Sequence, residues 1–250
     1  MKLRTYRMFQ AMIMTGLGFF LLYRFWSGQL VVYIHRRYIW LALITAIVLI
    51  ALAQAIFNNR PPARTEEDGL LVQHNAPQGA QWRLLVMLLP LLMGLLIPVQ
   101  ALGAEAASAR QVNQSMTLTA GAEVQDTVLS LDPRSRSLLE WVWVFDITDD
   151  KTTLVDQPVR LEGFLLPGEE LPGDQFIVAR FIITCCVADA TAVGIAVEPP
   201  AGSDPSQWRG WIRVEGTMQV TSQDGQESPL IQADSVQVIP EPDQPYLYQQ

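Results

Sequence analysis

The densest chemistry in this chain lies in one segment, Ala179-Arg180-Phe181-Ile182-Ile183-Thr184-Cys185-Cys186-Val187-Ala188-Asp189-Ala190. Two adjacent thiols with a nearby carboxylate are donors that suit a soft cation such as zinc or copper(I). The spacing restricts that use. On a strand, neighbouring side chains point to opposite faces, so only a turn would bring Cys185 and Cys186 to one metal with Asp189 beside them. The structural alternative is that one or both cysteines pack in the core, where a free cysteine behaves as a small hydrophobe. Metal binding, redox use and core packing therefore stay open. Arg180 and Asp189 could pin this segment as a buried charge pair, or both could be solvated.

The chain has no other cysteine, and neighbouring residues do not easily close a disulfide with each other, so no disulfide framework is expected. The two histidines, His35 and His74, both precede residue 75. The later part thus has no imidazole for a metal site or for acid–base work. There is no GxSxG elbow, no phosphate loop and no HExxH. Asp149-Asp150 and Glu169-Glu170 are paired carboxylates in turn-like contexts, which read as solvated. The expectation is a protein that is not an enzyme.

Charge divides the elements that must hold these groups. Residues 1–103 carry nine Lys/Arg against three Asp/Glu, whereas residues 104–250 carry eight against 22. A domain at −14 repels phosphate backbones, so nucleic acid is not an expected partner. It tolerates metal ions or a basic protein surface, although solubility alone accounts for the acidity.

The first part is apolar. Trp40–Phe57 and Leu84–Leu102 run 18 and 19 residues without a charge, and Met8–Tyr23 runs 16 before Arg24. A helix crossing the hydrocarbon core needs ~20 residues, and an arginine at a span end can snorkel to the interface. Tyr23, Trp26, Tyr33, Tyr38, Trp40 and Trp82 fall near the span ends, as interfacial aromatics do. About three spans are expected, with Pro90 and Pro98 tolerated as kinks in the third. A secretory signal peptide is the alternative for the first segment, but Arg24-Phe25-Trp26 offers no small-residue cleavage site. The N-terminus and the second loop share Lys2, Arg4, Arg7, Arg60, Arg64 and Arg83, against Arg24, Arg36, Arg37 and Arg110 on the other side. That bias puts the N-terminus in the cytoplasm and the C-terminal domain outside a multi-pass cell-membrane anchor.

The anchor region is thus expected over 1–103, with a polar connector at 58–82 in which His74 is solvated. A linker follows at 104–130, rich in Ala, Ser, Gln and Thr. The acidic β-rich domain is expected over 131–250. Asp132-Pro133 resembles a helix N-cap with proline at the first turn, followed by Leu138, Leu139, Val142 and Phe145 at helical spacing. A strand over Glu140–Ile147 competes, because Trp-Val-Trp-Val-Phe favours strands. Five strands are expected at 158–166, 175–184, 192–198, 210–221 and 230–239, separated by Pro- and Gly-containing turns. The first and fourth share Val159-Arg160-Leu161-Glu162-Gly163 and Ile212-Arg213-Val214-Glu215-Gly216. Glycines in such strands relieve the bending of barrel closure. The expected fold is therefore an OB-like five-stranded barrel preceded by a helix, with a sandwich as the alternative.

Several stretches carry a resemblance. They are Gly28-Gln29-Leu30 with Tyr33-Ile34-His35-Arg36-Arg37, the Arg180–Ala190 segment, Trp211-Ile212-Arg213-Val214-Glu215-Gly216, and the ending Ile239-Pro240-Glu241-Pro242-Asp243-Gln244-Pro245-Tyr246-Leu247-Tyr248. Together they resemble the YcgQ-like bacterial membrane proteins over nearly the whole chain. Arg36 departs from the proline expected after the histidine. The resemblance implies an accessory subunit of a two-component permease, a separately encoded multi-span partner and a link to metal-ion handling. It implies no substrate and no catalytic residue. Under it His35 would contact a transported ion or the partner; otherwise it is an interfacial side chain among arginines. The other reading of the whole is an extracytoplasmic metal-binding or redox module without a transport role.

Overall fold

The computed structural model describes residues 3–58, 80–108, 128–168, 171–223 and 226–248. The chain divides into two compact units, Met1–Gln100 and Ala101–Gln250.

The first unit is helical: α1 (Leu3–Trp26), α2 (Ile39–Asn58) and α3 (Ala80–Leu96). Two short 3-10 turns, Gln29–Val32 and Arg36–Tyr38, make the reversal from α1 to α2. The reversal starts at Gly28, whose φ of 71° is a left-handed conformation that glycine adopts without a side-chain clash. Arg7 and Gln10 of α1 line a cleft with Leu52, Ala55 and Ile56 of α2, while Gly18 meets Ala46 and Ile50. Low numbers in α1 thus face high numbers in α2, so these two helices are antiparallel. Small side chains make the seam: a Cβ on Gly18 would come within 2.6 Å of Ile50, and Ala42, Ala46 and Ala53 are buried. Gly16 faces Leu91 and Phe20 faces Gly94, which sets α3 parallel to α1.

Among the described residues, α1 and α2 are long and apolar enough to cross a membrane, and α3 is not. The expected third span over Leu84–Leu102 is corrected here, because its helix stops at Leu96 after 17 residues, a rise of ~25 Å. Proline causes the stop. Pro98 disfavours helical geometry at Ile97 and has no N–H for the Gly94 carbonyl four residues back. That carbonyl accepts from the Arg24 guanidinium instead, which also hydrogen-bonds Gln29. The connector expected at 58–82 lies, for residues 59–79 and so for His74, outside the described residues.

The second unit is a barrel. Its strands are β1 (Pro158–Pro167), β2 (Phe176–Ile182), β3 (Thr191–Glu198), β4 (Trp211–Gln223), β5 (Gln226–Val238) and a short β6 (Tyr246–Leu247). The order β1-β4-β5-β3-β2, closed by a further β1–β2 pairing, makes a five-stranded barrel with β3 and β5 parallel. The expected barrel is therefore observed, and the sandwich is not. β6, which the sequence reading missed, adds in parallel to the edge of β2.

The two similar stretches lie side by side. Gly216 opposes Val159 and Gly163 opposes Ile212, so the repeats pair antiparallel. Their charges then complement each other: Arg160 meets Glu215 at 3.4 Å and Arg213 meets Glu162 at 2.7 Å. Both glycines lie where backbones crowd. A Cβ on Gly163 would stand 2.5 Å from the Ala179 carbonyl oxygen, and one on Gly216, opposite the bulge that Asp234 makes in β5, 2.0 Å from that of Gln232.

One end of the core is filled by α5 (Leu138–Ile147), the helical alternative of the sequence reading. Its start is not Asp132-Pro133, which instead caps a single 3-10 turn. The helix begins one turn later with a reciprocal cap: Ser137 Oγ accepts from the Glu140 N–H, and the Glu140 carboxylate accepts from the Ser137 N–H at 2.6 Å. Leu138, Trp141, Val142, Trp143, Val144 and Phe145 are all buried, the pattern of a helix enclosed on most sides. Each such side chain is worth roughly 1.5–3 kcal/mol, which outweighs the ~0.7 kcal/mol or less that valine and tryptophan cost a helix. The stretch expected as a linker begins with α4 (Ala104–Ser108), whose Ala107 is buried against Phe164, Phe181 and Trp211. Residues 109–127 of it lie outside the described residues.

Closure through these glycines has a measurable consequence. Gly216→Ala is expected to lower the stability of the purified chain by roughly 1–3 kcal/mol, because the strands must part to admit the methyl group. Gly103→Ala, which meets nothing within 4 Å, is the control and is expected to leave the melting temperature unchanged.

Candidate functional site

Between β2 and β3 the chain turns at the thiol segment. Ile182 ends β2, residues 184 and 185 bend, and Val187–Asp189 form one 3-10 turn before β3 starts at Thr191. The turn is held by a side chain reaching backwards. The Asp189 carboxylate accepts from the Thr184 N–H at 3.1 Å and from the Cys185 N–H at 2.7 Å. Ala190, just after it, is buried among Phe181, Ile183 and Tyr246. A small residue fits there and a carboxylate is needed one place earlier, which accounts locally for the Ala-Asp-Ala run.

The condition set by the spacing is met: the cysteines lie in a turn, and their sulfurs are 3.6 Å apart. Both are free thiols, Cys185 exposed and Cys186 half-exposed, so core packing does not account for them. The structure thus brings Cys185, Cys186 and Asp189 together. Among the described residues, no group of three or more His, Cys, Asp or Glu is gathered closely enough to hold a metal as it stands. The Asp189 carboxylate is occupied by its own turn.

The same contacts set the protonation. The Cys185 thiol hydrogen-bonds the Asp189 carboxylate, and secondarily the Cys186 sulfur, and is pushed up to about 12. Holding a proton against a carboxylate costs less than placing a thiolate beside one. Partial burial works to raise the Asp189 carboxyl. The hydrogen bonds from the Cys185 thiol and from the N–H groups of residues 184–186 outweigh it, and the group sits below its ordinary value. A depressed carboxylate stabilises the fold above its unfolded value, and that contribution is lost as pH falls through the folded one. The turn therefore loosens in acid.

Arg180 does not pair with Asp189, which corrects the charge-pair expectation. From β2 its guanidinium donates to the carbonyls of Gln244 and Pro245, at 3.3 Å for the latter, and lies 5.5 Å over the Trp211 ring. Burial pushes its pKa down, and the Glu162 carboxylate partly offsets this. Its role is to hold the C-terminal segment, so that Tyr246 and Leu247 pair with Phe181 and Ile182. Tyr246 is fully buried, and its hydroxyl accepts from the Leu102 N–H at 2.9 Å. This strap escaped the sequence reading; its signal was the proline-spaced ending with its aromatic pair. His35 belongs to the first unit, in the α1–α2 reversal, where Nδ1 accepts from the Arg37 N–H at 3.0 Å and caps a 3-10 turn. That turn-capping bond is structural.

The proton on Cys185 can be followed directly. In a Cys186→Ser background, Cys185 is expected to alkylate with iodoacetamide only well above the pH of an ordinary thiol. Adding Asp189→Asn should move the rate-against-pH profile downward. An unmoved profile would mean that the carboxylate does not hold that proton.

Comparison with known proteins follows the same division of the chain. Residues 9–113 match the DUF1980 N-terminal domain and residues 111–249 the DUF1980 C-terminal domain. The UPF0703 protein YcgQ of Bacillus subtilis (strain 168) is 24% identical over 284 residues, covering 96% of this chain and 99% of that protein. No solved structure gives a significant match. Both domain matches lie in order on one chain and together span nearly all of it, and the protein belongs to the DUF1980 family.

Proposed function

We propose that this protein is a membrane-anchored accessory subunit of a two-component permease, with its barrel outside the cytoplasm and no catalytic role of its own. The observation that carries this reading is the apolar surface of the first unit. Phe19, Trp26, Ile47, Leu89 and Leu96 are exposed there, the last at 74%. Such side chains favour lipid or the helices of a partner over water. His35 and its flanking arginines would then lie at the interface between α1 and α2. The permease partner and the link to metal ions are what the family resemblance of the sequence implies.

A reporter fused after Gln250 that is active only outside the cytoplasm is expected to be active; a silent reporter with a correctly inserted chain would reverse the orientation. Affinity purification of the tagged protein from mild detergent should recover a multi-span membrane protein. Repeated recovery of the chain alone counts against the accessory role.

A second reading, a soft-metal module on Cys185, Cys186 and Asp189, is favoured by the sulfur contact. Two sulfurs bound at ~2.3 Å to a tetrahedral metal lie ~3.7 Å apart, close to the observed 3.6 Å. Zinc would have to displace the Cys185 proton, so affinity should rise with pH. Zinc titration of the full chain is expected to show a site that vanishes in the Cys185→Ser, Cys186→Ser double variant. Unchanged binding in that variant removes this reading.

A further inference from the structure

The two thiols touch on an exposed turn, and that contact has a chemistry beyond either reading above. A disulfide bond measures ~2.05 Å, and the sulfurs stand 3.6 Å apart. Closure therefore needs the two sulfurs to approach by about 1.5 Å. The chain has no third cysteine, so oxidation within one molecule has a single outcome. We propose that Cys185 and Cys186 form a dithiol–disulfide couple that reacts by exchange with organic disulfides, either small molecules or the active-site disulfide of a thiol oxidoreductase.

The thiolate of one cysteine of the pair attacks one sulfur of the organic disulfide; that S–S bond breaks, a mixed disulfide forms on that cysteine, and the first leaving thiolate takes up a proton. The other cysteine, 3.6 Å away, then gives up its proton and attacks the first cysteine's sulfur. The Cys185–Cys186 bond forms and the second thiolate leaves and is protonated. Two protein thiols are oxidised and one organic disulfide is reduced to two thiols.

The product is built to be reversible. Neighbouring Cα atoms are ~3.8 Å apart, inside the ~4.4 Å lower limit usual for disulfides. The strained ring is readily reduced, the behaviour of labile rather than structural disulfides. Closure also removes the S–H donor from Asp189 and withdraws both sulfurs from any soft cation, so the couple would switch metal binding off if that reading holds.

The test needs no partner and no metal, so it stands or falls separately from the permease reading. The full chain is treated with oxidised glutathione, the remaining thiols are blocked with N-ethylmaleimide, and the peptide containing both cysteines is weighed. Expected is a peptide lacking two hydrogens, with no glutathione retained and both thiols recovered by mild reductant. Closure should run at least about tenfold faster than in a free peptide of residues 180–190, because the fold holds the sulfurs in contact. Cys185→Ser and Cys186→Ser should each stop at one retained glutathione. Retained glutathione in the unaltered chain, thiols that stay fully alkylatable, or closure no faster than in the peptide each overturn the proposal.

Discussion

Closure of the barrel depends on backbones approaching more closely than a side chain allows. β1 must pair with β4 along its first half and with β2 along its second, and it changes neighbours at Gly163 and Phe164. Gly163 lies against the Ala179 carbonyl at that crossing, and Gly216 lies against the Gln232 carbonyl opposite the bulge in β5. Without a Cβ at these points the strands bend and the interior closes around Leu161, Val178, Ile195, Ile212 and Ile231. α5 then has an apolar opening to fill.

The same change of neighbours creates the second half of the site. β1 leaves β2 at Ala179, so residues 181 and 182 of β2 have an unpaired edge. The C-terminal strap occupies it as β6, with Arg180 grasping the preceding carbonyls. An edge covered in this way no longer invites pairing with another chain. The turn that follows is thus mounted on a strand anchored from both sides, and its own geometry is set by one carboxylate. That support carries the exposed Cys185 and the half-exposed Cys186 on one turn, with their sulfurs 3.6 Å apart.

In the helical unit, proline plays the part that glycine plays in the barrel. Pro98 removes a donor, the Gly94 carbonyl is left over, and Arg24 supplies the missing hydrogen bond. Burying an unpaired carbonyl costs about 1–3 kcal/mol, so a charged donor at that place has a structural reason. The arginine that ends the first apolar segment therefore ties α1 to α3.

Much of the fold is legible in the residues alone. Uncharged runs mark α1 and α2, because an apolar helix long enough to span a bilayer is recognised by composition and length alone. Alternation and turn residues marked β1 to β5 within a few positions, and the repeated Arg-x-Glu-Gly stretches pointed to glycine at the bends. The thiols and the carboxylate could be named as a cluster, but not their relation. Whether Cys185 and Cys186 diverge on a strand or meet in a turn is decided by where β2 ends, and that depends on β1, β3 and β6 together. Asp189 could be seen but not its hydrogen bonds, which come from backbone groups with no residue identity. The partner of Arg180 lies 64 and 65 residues away in the chain, and no local pattern encodes such a contact. Local physics determined which elements form and which groups carry chemistry. The tertiary structure decided which of those groups touch, because contact between distant strands is set by closure of the whole sheet.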